Sequence, residues 1–406
     1  GGIILIESQQ IKKEAKNLFE QLISWRRQIH RHPETGLYLP VTAALVTKVL
    51  SDLGLEPKMV GTDNTTGVTA LIDSGRPGPA ILLRADMDAL PLREENNLSF
   101  KSEIEGKAHM CGHDTHTAML LGAATILVQH KDDFNGSIQL MFQPGEEGYN
   151  GASHMIEDGL LENPKPSAAI AMHCLTGSKW KTGTLLCATG LLAKASADTF
   201  RITLQGAGAH GATPEHGKDV VYALSRLIDG LYAIRSRELS AFTPAMLSVC
   251  QIHAGHADNI LPDDGFVTGT FRTFDPEVRE FIRRRIHEIA EATASAFRTI
   301  AKVEFSGGLA PTLNDKDLCP EIWGYLKELS PENTDIIGPV TGAEDFSEIA
   351  CRIPSAYVDL SFGSVEDGYS YAVHSPRCLF DENALPEGAA CYAWLALRWL
   401  KDHAPA

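Results

Sequence analysis

The sequence predicts an α/β protein in two parts, a larger α/β domain into which a smaller α+β domain is inserted. Three observations lead there. The chain has 406 residues, beyond the size at which one hydrophobic core usually stops growing. Apolar runs of strand length alternate with helical patterns up to about residue 194 and again from about residue 310, the rhythm of a sheet with parallel character. Between residues 195 and 309 the order changes to β-α-β-β-α-β, the split βαβ or ferredoxin-like unit. The expected domains are therefore 1–194 with 310–406, and 195–309.

The elements follow in order. AKNLFEQLISWRRQIHRH has the period of an amphipathic helix, and VTAALVTKVLSDLG reads as a second, ended by Gly54. GVTALIDS and AILLRAD are short strands. HTAMLLGAATILVQH is an apolar helix, and SIQLMFQP and SAAIAMH read as buried strands. TFRITLQG alternates like a half-exposed strand. The helix KDVVYALSRLIDGLYAIRSREL follows it, then strands AMLSVCQIHAG and GFVTGTFRTF, then the helix DPEVREFIRRRIHEIAEATASAFRT and the strand AKVEF. The strand AYVDLSFG and the helix EGAACYAWLALRWLKDH return to the first domain.

Composition narrows the function. Apolar residues make up 44% and charged residues 22%, ordinary for a globular protein. The formal net charge of −16 argues against nucleic acid or an anionic membrane as partner. An anionic substrate would need a local cation. No apolar run reaches the roughly 18 residues of a membrane span, and the start GGIILIESQQ lacks the basic region and cleavage site of a signal peptide. The eight cysteines are scattered, which suits reduced thiols and a cytoplasmic location.

Potential metal ligands collect where buried elements meet loops. Cys111-Gly-His113-Asp114-Thr-His116 precedes the apolar helix, and Glu146-Glu147 follows the strand SIQLMF. His173-Cys174 ends SAAIAM, and His374 stands in VHSP. A thiolate, imidazoles and carboxylates together suit Zn²⁺ or Mn²⁺ rather than Ca²⁺ or Mg²⁺. Such a set can hold two ions if one ligand bridges, and the Cys111 sulfur could do so. Two adjacent glutamates cannot point the same way, so one can bind metal while its neighbour acts as general base. Any one of these residues alone would more often be structural. Cys174, beside His173 on an alternating strand, is expected to face the core.

The chain resembles the hippurate hydrolase and auxin-conjugate amidohydrolase branch of the aminoacylase and glutamate carboxypeptidase metallohydrolases. RRQIHRHPETG, ILLRADMDALPL, HMCGHDTHTAMLLGAA, FQPGEEG, GAGAHGATPEHGKD, NILPDDGFVTGTFRTFDPEVRE, TGAEDF and VHSPRCLFDENALPEG carry the resemblance in family order over nearly the whole chain. It implies a catalytic domain of the zinc-peptidase type and an inserted lid that also forms a homodimer. It implies Cys111, His113, Glu147, His173 and His374 as ligands of two divalent ions, Mn²⁺ or Zn²⁺, and Glu146 as general base and acid. His210 resembles the lid histidine that reaches the partner subunit's site. Asn259 resembles a polar contact to the scissile oxygen or substrate, and Arg272 a contact to a substrate carboxylate. Asp86 and Asp88 would orient ligands from behind. One departure is Glu215, which stands in His210-Gly-Ala-Thr-Pro214-Glu215-His216 where the lid normally has a second histidine.

The expected activity is hydrolysis of a small N-acyl or N-aroyl amino acid. An alternative is hydrolytic deamination of an activated aromatic amine such as an aminobenzoate. A third is a silent binding relative, which the presence of Glu146 disfavours.

Overall fold

The structure is a computed structural model that describes residues 7–188 and 190–405; most of the opening apolar patch, GGIILI, lies outside them. The chain divides into two compact units, residues 1–193, 313–338 and 348–406, and residues 194–312 with 339–347. The second unit starts and ends close to the expected 195 and 309, but also takes 339–347, expected with the first. Backbone bonds hold that segment there: the Ala195 amide donates to the Val340 carbonyl at 3.0 Å, and Thr312 Oγ1 to the Glu344 carbonyl at 3.2 Å.

The first unit is built on an eight-stranded sheet. Its centre is four parallel strands, in the order Ser137–Gln143, Ala80–Asp86, Ala168–Leu175, Ser355–Ser361. These are buried along nearly their whole length, which is why they read as continuous apolar runs. The sheet as a whole is mixed, not parallel. Lys58–Val60 and Gly67–Asp73 form an antiparallel pair at one edge, and Leu185–Cys187 runs antiparallel to Ser355–Ser361. The alternating burial of Gly67–Asp73 is the mark of an antiparallel strand with one solvated face.

Two nearly fully buried helices, His113–Gln129 and Leu385–Asp402, pack on this sheet. They approach closely because glycines stand at the crossing. A Cβ on Gly122 would lie 2.6 Å from Leu22 and 3.0 Å from Ala389, and one on Gly388 would lie 1.9 Å from the Met119 sulfur. The opening helix expected as one piece is two, Ser8–Asn17 and Phe19–Arg31, interrupted at Leu18. Nothing in the local sequence explains that break. A further helix, Leu318–Leu329, was not expected.

The second unit has a four-stranded antiparallel sheet in the order Ala245–Ala254, Asp264–Thr273, Ala197–Gln205, Ile300–Leu309. Val220–Ala233 and Pro276–Ala296 cover one face. Phe200, Ile202, Leu204, Val267 and Phe271 from the strands meet Leu224, Leu227, Ile282 and Ile286 from the helices in its core. In chain numbering of its own strands this is the ferredoxin-like arrangement. Asp219 and Asp275 cap the two helices, accepting from the Tyr222 amide and from the Glu277 and Val278 amides.

Candidate metal centre

The first unit gathers its ligand-type residues at the carboxyl ends of the parallel strands, where sites in α/β sheets usually form. Cys111 and His113 flank Gly112, which turns the chain into the helix with φ +86°. A Cβ there would sit 2.2 Å from the Cys174 sulfur, so only glycine fits. Glu146 and Glu147 follow Ser137–Gln143 in a turn opened by Gly145 at φ +68° and closed by Gly148 at φ +86°. His173 lies in the strand Ala168–Leu175. His374 holds φ +68°, a left-handed conformation unfavourable for a non-glycine residue; its amide donates to the Met110 carbonyl at 2.7 Å, next to Cys111.

These side chains converge. Cys111, His113 and His173 form one triad, and Cys111, Glu147 and His374 another, with the donor atoms of each triad within 4.8 Å of one another. Cys111 is common to both. Its sulfur is 3.5 Å from His173 Nε2. His374 Nε2 is 3.2 Å from Glu147 Oε1. His113 Nε2 is 3.7 Å from Asp86, 3.9 Å from Glu146 and 3.9 Å from Glu147.

The neighbours fix which atoms face inward. His173 Nδ1 is 2.7 Å from the Cys174 carbonyl, so that nitrogen carries the proton and Nε2 is left as a lone-pair donor. Asp88 accepts from the amides of Glu146 and Glu147 at 3.0 and 2.9 Å, clamping the turn that presents both carboxylates. Asp86 accepts from Arg84 Nη1 at 2.9 Å and pairs with His116 Nδ1 at 2.5 Å. His116 Nε2 accepts from the Cys174 amide at 2.8 Å, so both its nitrogens are engaged and it is not free to ligate. Cys174 is fully buried and its thiol donates to the Cys111 carbonyl at 3.2 Å.

The residues fit a divalent pair. His113 is fully buried; its Nδ1 lies 3.4 Å from Asp88 Oδ1, while its Nε2, 3.7 Å from Asp86 and 3.9 Å from Glu146 and Glu147, has no hydrogen-bond partner, an expensive state for a polar atom without a cation. Burial would lower its pKa, but Asp86, Asp88 and Glu147 raise it to about 10. Burial, followed by the charges of Glu147 and Glu146, pushes the Cys111 thiol well above its usual range. Burial opposes ionisation of Asp86, but His113 and Arg84 hold its pKa well below the usual carboxylate value. The carboxylates around His113 thus favour positive charge at this centre.

Similarity to known proteins decides the family. The profile of Peptidase family M20/M25/M40 matches residues 82–398. This chain belongs to that family. Thermostable carboxypeptidase 2 of Saccharolobus solfataricus is 34% identical over 96% of this chain and 98% of its own length. Hippurate hydrolase of Campylobacter jejuni is 35% identical over 93% of this chain and 96% of its own. Among solved structures, a Bacillus subtilis dinuclear metal binding peptidase of the M20 family superposes with TM-score 0.82 at 30% identity, covering 95% of this chain and 99% of that one. The M20 chain described here is a metal-dependent hydrolase of amide bonds.

The remaining expected residues lie in the second unit. His210 is exposed and pairs with Ile260 in a two-stranded ribbon, while the Gly211 amide donates to the Asn259 carbonyl at 2.8 Å. The fold thus sets His210 beside Asn259. His210 Nδ1 accepts from the Ala212 amide at 3.0 Å, leaving Nε2 as the outward donor. His210 lines a cavity of about 820 Å³ with Arg201, His253, Asp263 and Asp264. Arg272 stands near the far end of the strand Asp264–Thr273, roughly 27 Å along it from Asp264 at the usual rise per residue. Its Nη1 donates to the Thr341 carbonyl at 2.9 Å. Arg272, Met246, Phe274 and Gly342 line a separate cavity of about 580 Å³. Glu215 is exposed, 3.7 Å from His216.

The sequence reading missed Arg84 and the role of His116. Arg84 is a fully buried charge inside an apolar strand, a signal visible in AILLRAD because such a charge must be paired.

Proposed function

We propose that this enzyme hydrolyses the amide bond of a small N-acyl or N-aroyl amino acid on two divalent ions, Mn²⁺ or Zn²⁺. The two triads sharing Cys111 carry this reading: a thiolate common to two ligand sets is what a dinuclear centre needs. Cys111, His113, Glu147, His173 and His374 would hold the ions. When bound, the ions supply Lewis-acid activation of a water and of the scissile carbonyl. Glu146, clamped by Asp88 through its own amide, accepts the water proton and returns it to the leaving nitrogen. His210, with Nε2 as donor, stabilises the developing oxyanion, and Asn259 beside it contacts the substrate. Arg272 grips the substrate carboxylate.

His210 and Arg272 stand toward opposite ends of the second unit's sheet, too far apart for one small substrate to touch both on one copy. A homodimer resolves this, with His210 supplied by the partner. The edge strand Ala245–Ala254 has no outer neighbour among the described residues, and Val221, Tyr222 and Tyr232 are exposed on the adjacent helix, which supports association through this unit. No described helix is long and apolar enough to cross a membrane. The scattered cysteines, eight free thiols, support a cytoplasmic location.

The test is amine release across N-acyl and N-aroyl amino acids, dipeptides and aminobenzoates, with and without chelator. Chelator-sensitive release from the acyl amino acids is expected. Turnover of peptides alone, of aminobenzoates alone, or in metal-free protein would overturn the reading.

A further inference from the structure

Behind the ligand side chains lies a buried ionic network that takes no part in the chemistry above. Arg26 is 1% exposed on the helix Phe19–Arg31, amid Leu22, Trp25 and Ile29. Its Nε donates to Asp114 Oδ2 at 2.8 Å and its Nη1 to Glu382 Oε1 at 2.9 Å. One turn on, His30 Nδ1 is 2.8 Å from the same Asp114 oxygen, and its Nε2 is 3.3 Å from Glu94. Arg27 donates to both oxygens of Glu382, at 3.0 and 2.6 Å. The Phe100 ring lies against Arg26, Arg27 and His30.

Burying paired ions gains little stability over apolar packing of the same shape, so the network calls for another explanation. Its acidic partners supply one. Asp114 follows His113 directly, and Glu382 lies in the short turn that closes the segment begun at His374. Glu94 precedes two residues bound to that same segment. The Glu95 amide donates to the Pro376 carbonyl at 2.9 Å, and Asn96 Nδ2 to the Cys378 carbonyl at 2.8 Å. The segment also meets the other ligand loop directly, through the His374 amide and the Cys378 thiol, both donating to the Met110 carbonyl. One helix face thus grips, from behind, the two stretches that carry Cys111, His113 and His374.

We propose that Arg26 is a positioning residue for the metal centre. With His30 it holds the 111–114 loop and the 374–382 segment in mutual register, so that both triads close on Cys111. The inference rests on the metal reading above. Partners that orient ligands without touching the ion typically matter ten- to a hundredfold in affinity, and small misplacements at the reacting centre cost rate.

The test uses Arg26→Lys in the full chain, because lysine keeps the charge but cannot reach Asp114 and Glu382 together. Zn²⁺ affinity of the apo protein is measured by chelator competition, beside the apo melting midpoint, kcat and KM. The expected result is a Zn²⁺ affinity about ten- to a hundredfold weaker, with kcat lowered more than KM is changed. If Arg26→Lys does not fold, Glu382→Gln decides; its side chain is partly exposed and nearly isosteric, and a smaller loss in the same direction is expected. A lower melting midpoint with Zn²⁺ affinity and kcat unchanged would show the network to be structural only and overturn the inference. Wild-type protein that binds no Zn²⁺ would overturn the metal reading itself, and this inference with it.

Discussion

At the scale of single residues, the reading proposed above gives adjacent side chains separable duties. Glu146 and Glu147 share one turn and one clamp, Asp88; both group with His113, but it is Glu147 that also groups with Cys111 and His374. Glu146→Gln should therefore retain the metal and lose about a hundredfold or more in kcat. Glu147→Gln should weaken metal binding as well. Metal analysis of both variants beside kcat checks this, and a metal-free Glu146→Gln beside a loaded Glu147→Gln would exchange the roles. The pair was legible in the sequence because two glutamates directly after an apolar strand must lie at its carboxyl end. The clamp was only half legible. Asp88 could be placed behind the ligands, but nothing local says that its two oxygens take the amides of residues 58 and 59 positions away. His116 shows the same limit. Its spacing from His113 fits a ligand, and it is Asp86 on Nδ1 together with the Cys174 amide on Nε2 that removes it from the set.

At the scale of elements, close helix packing brings the His113 loop onto the sheet. Gly388 sits where a Cβ would meet the Met119 sulfur at 1.9 Å and Leu360 at 3.0 Å. Gly388→Ala should lower stability by about 1–3 kcal/mol through overpacking, read as a shift in denaturant midpoint with an unchanged slope. The far end of the His113–Gln129 helix is tied by His130, 2.8 Å from Asp133 and 2.8 Å from Glu14 of the first helix. Burial would lower the His130 pKa, but Asp133 and Glu14 raise it. A raised histidine stabilises fully below its unfolded value of about 6.5 and loses that contribution as pH rises through the folded value. The melting-point gap between wild type and His130→Gln should therefore narrow as pH rises above about 6.5; a gap that does not change with pH would exclude the charged form. Elements were legible where one period dominated. The fully buried strands and the ferredoxin-like order could be read directly, because burial on both faces and alternation on one leave different patterns. The mixed direction of the sheet could not, since pairing direction is set by connections between distant segments. Nor could the placement of 339–347, which rests on backbone bonds to residues such as Ala195.

At the scale of the whole molecule, the dimer proposed above can be tested through the separation of His210 from Arg272. Both belong to the second unit, where His210 shares a cavity with Asp264 and the strand Asp264–Thr273 carries Arg272 roughly 27 Å along from Asp264. On the proposed reading, each site takes its His210 from the partner. Two defective chains can then repair each other. His210→Ala has an intact Glu146 but supplies no histidine to its neighbour. Glu146→Gln has no base but supplies an intact His210. In a mixed dimer, the site on the His210→Ala chain contains its own Glu146 and the His210 of the partner subunit, and is complete. The opposite site lacks both. Equal amounts, exchanged at random, should thus recover about a quarter of the wild-type rate from two nearly inactive proteins, as a two-fold isologous dimer requires. The recovered rate should rise with the time allowed for subunit exchange and vanish when exchange is blocked by cross-linking each homodimer beforehand. If His210 served its own chain's site instead, the mixed dimer would contain no complete site, and mixing would recover nothing at any time.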